Sequence, residues 1–249
     1  MDLPQGTVLM EAVAAAMDDL GCDSAVLRLD GLEMGPHNYV MPAASPDEDH
    51  AAWYSAVHSG KAARLENATA IVGRREGRWF LHCHALWAAD TPKAGHLLPD
   101  QVIIAAPAHV TGLAFDGGFY DVTPDAETNF SFFRPRATET PARRNAAIVT
   151  LAPHEDLHTA IAELRAGLGL SAPAVMGIGS LIGARFTDAP SMPSPISEVL
   201  LLNGAGFDAD GQPTLPALCV DPEGNLFEGN IALGGAPVCV TFELILADL

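Results

Sequence analysis

Shifting the numbering of this chain by 134 brings Gly77 onto Gly211, Leu81 onto Leu215 and Gly95 onto Gly229. Around these landmarks both halves follow one order: a helical segment ending in Leu-Gly, a strand, a loop, a hairpin with a glycine turn, an apolar strand and a last apolar strand. Recurrence at a fixed offset marks an internal duplication. A chain of 249 residues also has room for two ordinary domains. The expectation is therefore two similar units over 1–122 and 146–249.

Within the first unit, residues 7–20 read as an amphipathic helix stopped by Gly21, and 25–29 as a strand. A Pro/Ala/Asp-rich loop follows over 41–50, and 51–63 has room for a short helix. The runs NATAIVG and RWFLHCHALW flank an RREG turn and predict a hairpin. Residues 123–145, rich in Pro, Thr and Arg without a period, read as a linker or extended arm. From Ala146 the pattern restarts with a strand, a helix ended by glycine and a series of apolar strands.

Charge narrows the partners. The chain carries 13 Lys+Arg against 31 Asp+Glu, a formal net charge of −18. Up to residue 145 there are 11 basic and 19 acidic residues; from 146 on there are 2 and 12. Such a surface repels phosphate backbones, so nucleic acid is not an expected partner. Apolar residues at 49% exclude global disorder. The longest apolar runs, 102–106 and 199–202, are strand-length, which excludes a helical membrane span. The first residues lack the basic and apolar regions of a secretory signal. Cys22, Cys83, Cys219 and Cys239 have no CxxC spacing and read as reduced thiols of a cytoplasmic protein.

Among nine histidines, the strongest chemical signal is His82-Cys83-His84, followed by Gly95-His96. Residues i and i+2 of a strand share a face, so His82 and His84 present two imidazoles side by side. Pro92 and Gly95 allow a short return that brings His96 onto a neighbouring strand. Three imidazoles from adjacent strands form a facial set suited to Zn2+ or another divalent transition metal, with a position open for water or substrate. The plain alternative is a chance pair on a solvated strand. At the 134-residue offset the three fall on Pro216, Leu218 and Asn230, which makes the second unit a metal-free copy. His109 falls on Glu243, and both residue types serve as ligands or acid/base groups.

Other residues offer supporting roles. Glu66 lies on a strand expected beside the histidines and is a candidate acid/base group, as is His109. Arg64 and Arg78 belong to a basic concentration that also holds Arg74 and Arg75, and an arginine near a metal can clamp a substrate carboxylate. Cys83, between the two histidines, faces the other way and reads as a core thiol. His154-Glu155-Asp156-Leu157-His158 matches H-E-x-x-H literally. Pro153 precedes it, however, and no histidine follows. A helix N-terminus with Glu155 and Asp156 in its first turn is the better reading. No Gly-rich phosphate loop and no G-x-S-x-G elbow occur.

The second half, from HEDLHTAIAELRAGLGLSAPAVMGIGSL through SEVLLLNGAG and DGQPTLPALCVDPEGNLFEGN to VCVTFELIL, resembles a PCC (plants and prokaryotes conserved) domain. The first half resembles it as well, in GRWFLHCHALW and AGHLL. The second copy departs at Pro216, Leu218 and Asn230, where the family has histidine, and keeps Glu198 and Glu243 at the family's acidic positions. The first departs at His109, near the final Glu position, and by a short connection before Gly95-His96. The resemblance implies an α+β fold of two tandem PCC-like domains, each a mixed, mainly antiparallel sheet with a packed helix. It also implies a homo-oligomer, trimer or dimer, with a histidine-bound metal near subunit contacts. Plant members bind DNA through AT-hooks, and this chain has none; Arg134-Pro135-Arg136 lacks the glycine. Acetolactate decarboxylase belongs to the same fold superfamily, with two related halves and histidine ligands to zinc.

Two function classes follow. In the first, a metal on His82, His84 and His96 serves an enzyme acting on a small carboxylated or oxygenated metabolite. Glu66 or His109 then moves the proton, and Arg78 or Arg64 holds the carboxylate. In the second, the chain is a non-catalytic regulatory or DNA-binding module with a structural metal.

Overall fold

The long strands alternate, so each has two sides to bury. On the strand Arg78–Ala88, Leu81, Cys83, Ala85 and Trp87 pack towards the first helix, while Phe80 and Leu86 pack on the opposite side. His82 and His84 share that opposite side, and this parity decides where the histidines go. The computed structural model describes residues 1–139 and 145–249.

The first helix, Leu9–Leu20, buries Leu9, Ala12, Val13 and Met17 and ends at Gly21, whose φ of 66° suits the left-handed cap. The second, Leu157–Leu168, is capped by Asp156, whose carboxylate accepts from the Thr159 N–H at 2.9 Å. Asp156 is thus the cap, and Glu155 precedes the helix. This corrects their expected place in its first turn. His154 also lies outside the helix, so the H-E-x-x-H string does not put its two histidines on one helical face.

The strands form two main sheets. In the first the order is Thr111–Phe115, Ser24–Arg28, Ala63–Arg75, Arg78–Ala88, Lys93–Ile104, Glu33–Val40, His58–Gly60. In the second it is Ala146–Leu151, Val238–Ala247, Ala174–Leu181, Glu198–Leu201, Pro216–Val220, Leu226–Asn230. In both, the strand after the helix lies between a strand from late in its half (Thr111–Phe115 or Val238–Ala247) and a run of three further antiparallel strands. Among the described residues the pairings are antiparallel apart from one parallel bridge, Asp121 to Arg74. The fold class is α+β, strand-rich and mainly antiparallel.

Each helix covers the outer face of its own sheet. The inner faces meet: Val26, Ile71, Leu86, Tyr120 and Phe133 pack against Ile178, Leu200, Leu218, Val220 and Ile245. The layers run helix, sheet, sheet, helix. Tyr120 stitches this seam, its buried hydroxyl donating to the Leu244 carbonyl at 2.7 Å and accepting from the Val149 N–H at 3.1 Å. Tyr120→Phe leaves both groups without that partner. It is expected to cost about 1–3 kcal/mol in urea denaturation.

Three segments differ from the sequence reading. Residues 51–63 form no helix; they hold short strands at Trp53–Tyr54 and His58–Gly60. Gly60 faces His37, whose ring would stand 2.1 Å from an added Cβ, so this strand fits only with glycine there. The segment read as a linker over 123–145 contains a strand, Ser131–Ala137, paired with Gly118–Pro124; its residues 140–144 lie outside the described residues. Glu33–Val40, not read as a strand, pairs with Lys93–Ile104.

Candidate metal centre

The predicted hairpin turns at Glu76 and Gly77, both with positive φ (52° and 76°). The next return sets His84 directly opposite His96 in the antiparallel register. His82, two residues from His84, joins them. One ligating nitrogen from each of the three lies within 4.8 Å of the others. The ring centroids stand 4.7 Å (82–84), 4.8 Å (82–96) and 5.3 Å (84–96) apart.

The second sheet completes the surroundings. Glu243, on Val238–Ala247, places its carboxylate 2.6 Å from His82 Nδ1. Glu198, on Glu198–Leu201, lies 2.7 Å from His84 Nε2. The Val199 carbonyl lies 2.8 Å from His84 Nδ1 and can only accept, so that nitrogen carries the proton. His82 Nε2 and His84 Nε2 then face each other at 3.0 Å. Two imidazole lone pairs repel at that distance unless a proton or a cation stands between them.

Without a bound metal, burial and neighbouring charges set the protonation of the cluster. Burial disfavours charge on His84, but the adjacent Glu198 carboxylate outweighs it and raises the pKa. Burial likewise opposes charge on Glu198, and the His84 charge with its hydrogen bond holds that carboxyl below its ordinary value. Burial holds His82 down to about 3 and pushes Glu243 up to about 8, so both members of the His82–Glu243 contact are kept neutral. Burial also keeps His96 well below its ordinary value.

A divalent metal fits these residues. His96 Nδ1 and Glu243 Oε1 are buried without a hydrogen-bond partner. The Val199 carbonyl turns His84 Nε2 into a ligand, and Glu243 can fix His82 the same way, as a carboxylate behind a metal-bound imidazole does. Metal uptake must displace the proton on His84. Affinity for Zn2+ is therefore expected to fall about ten-fold per pH unit below the raised His84 pKa. A chelator-competition titration at several pH values checks this, and a flat profile contradicts it.

The cluster opens on a cavity of about 580 Å³. Arg78 lies in its wall, together with Arg75 and Tyr54, which the sequence reading did not single out. Glu66 and Arg64 are exposed and outside that wall. His109 is also outside it, exposed and paired with Asp2 at 2.7 Å. The two glutamates beside the histidines are instead Glu198 and Glu243, from the other half. Their positions in the PCC-like pattern marked them as acidic, but no spacing tied them to the histidines. Cys83 lies in the core on the helix side, its thiol pushed up to about 12 by burial.

No protein-family model matches the sequence. No curated protein matches it. Solved structures similar to part of the chain include a metal-containing protein from Archaeoglobus fulgidus, with 15% identity, a TM-score of 0.42, and coverage of 54% of this chain and 90% of that one. A plant- and prokaryote-conserved (PPC) protein from Pyrococcus horikoshii has 16% identity and a TM-score of 0.40, covering 54% and 88%. A candidate DNA-binding protein from Ralstonia eutropha JMP134 has 15% identity and a TM-score of 0.39, covering 54% and 88%.

Proposed function

We propose that the chain is a metal-dependent enzyme acting on a small carboxylated or oxygenated metabolite, of the decarboxylase, lyase or isomerase kind. The observation that carries the reading is the convergence of His82, His84 and His96 at the wall of an open cavity. Structural zinc sites are closed by four protein ligands, whereas catalytic ones keep a position free. Zinc or another divalent transition metal held there would supply Lewis acidity towards a substrate oxygen.

This chain's own groups then divide the remaining work. Glu243 orients His82. Glu198, the anionic carboxylate beside His84, accepts or returns a proton at a bound substrate carbon or oxygen. Arg78 meets the substrate's acid group. The tandem arrangement, units at 1–122 and 146–249, explains the division of labour: one copy keeps the histidines, and the other contributes glutamates. The repeated strand order of the two sheets supports that arrangement. The same reading places the protein in the cytoplasm as a homo-oligomer, dimer or trimer, which light scattering checks.

Elemental mass spectrometry of the purified protein tests the site. About one transition metal per chain is expected in the wild type, and none in the His82→Ala/His84→Ala variant. Equal metal in both sinks the assignment, and none in either after reconstitution sinks the reading.

A further inference from the structure

The strands Ala63–Arg75 and Arg78–Ala88 place Arg75 directly opposite Arg78 beside the turn. Like charges directly opposed across an antiparallel pair destabilise it. In a chain with 31 acidic residues, a nearby carboxylate would be the ordinary remedy. Yet among the described residues neither arginine forms an ion pair, although Glu76 and Asp100 line the same cavity. The Arg75 guanidinium lies 3.8 Å from the centre of the Phe80 ring. Stacking fixes its plane and leaves its N–H donors free at the edge. Arg75 is also close enough to the histidines for its charge to act on both His82 and His96.

A second feature of the same cavity concerns shape. The chain has only ten Phe, three Trp and three Tyr. Seven of them line the wall around the histidines: Trp53, Tyr54, Trp79, Phe80, Phe130, Phe132 and Phe133. Tyr54 meets His96 edge-on at 5.3 Å and Phe130 at 5.9 Å, and Trp53 lies 5.9 Å from Phe130. Trp53 and Tyr54 remain 42% and 38% exposed, unusually open for such large apolar rings. Thr241 in the same wall is buried, and its hydroxyl has no hydrogen-bond partner. A two- or three-carbon acid would leave most of this space unfilled.

We infer that the cavity binds an aromatic carboxylate bearing an oxygen next to the acid group. Arg75 and Arg78 take the carboxylate, Thr241 and the histidine centre meet the inner oxygen, and the ring lies among Trp53, Tyr54 and Phe130. The inference rests on the proposed use of this cavity as a substrate site, and it adds the substrate class. It also assigns Arg75, in place of Arg64, to the acid group.

Calorimetric titration with three probes tests it: phenyllactate, lactate and 3-phenyl-1,2-propanediol. Phenyllactate is expected to bind about ten-fold tighter than lactate, which lacks the ring, and about ten-fold tighter than the diol, which lacks the carboxylate. Arg75→Gln should remove the preference over the diol and keep that over lactate, whereas Trp53→Ala should do the reverse. Equal binding of phenyllactate and lactate overturns the inference, as does a carboxylate preference that survives Arg75→Gln. Absence of binding by all three at millimolar concentration overturns it too. Repeating the titration on His82→Ala/His84→Ala, with metal content measured on the same samples, separates the outcomes. Metal missing from the wild type as well as from the variant defeats the metal-enzyme reading, while the ring and carboxylate preferences report on the cavity alone.

Discussion

Glu243→Gln is expected to weaken metal binding about 10- to 100-fold without unfolding the protein. The amide keeps the size of the side chain, and its oxygen can still accept from His82 Nδ1. What it loses is the negative charge that the carboxyl takes on when the cation displaces its proton, the charge that makes the imidazole a better donor and opposes that of the bound cation. Glu243 is 0% exposed, so no water replaces that charge. Competition with a chromophoric chelator measures the change. An affinity within two-fold of wild type would show that Glu243 is a packing residue and not a partner of the site.

Phe133→Ala is expected to have the largest effect on stability, a loss of about 3–5 kcal/mol in denaturant unfolding. The ring is 2% exposed and sits in the seam between the sheets. It packs on Tyr120 at 5.4 Å and Phe80 at 5.9 Å, and lies 6.4 Å from the His82 ring. Removing it opens a void where the two inner faces and the histidine cluster meet, and the flanking strands are too constrained by pairing to collapse into it. A loss below 1 kcal/mol would mean that the seam closes over the gap easily.

The histidine cluster was legible because it depends on local rules. Alternation on one strand sets His82 and His84 on a face, and a short return sets His96 opposite His84. The helices at 9–20 and 157–168 were legible for similar reasons, through periodicity and terminal glycines. Ser131–Ala137 was not, because Pro135 within FRPRA argues against a paired strand. It is tolerated there since this strand pairs on one side only, with Gly118–Pro124. Glu33–Val40 hid behind Gly35 and Pro36, which break its alternation. The offset that sets Glu243 opposite His109 marked it as a polar group for a site, but its meeting with His82, and that of Glu198 with His84, was out of reach: nothing in a strand's own pattern says which face of a distant sheet it will meet. Glu66 and His109 were the polar residues nearest in sequence logic, and the sheet stacking leaves both outside the cavity wall.

The stacked sheets have one more consequence. Three imidazoles come from one sheet, and the groups that hold and neutralise them come from the other. A cation bound at that junction is therefore a clasp between the two halves of the chain. By mass action, its binding free energy is shared with their docking. Stripping such a cation would loosen the seam, and prying the seam apart would release it.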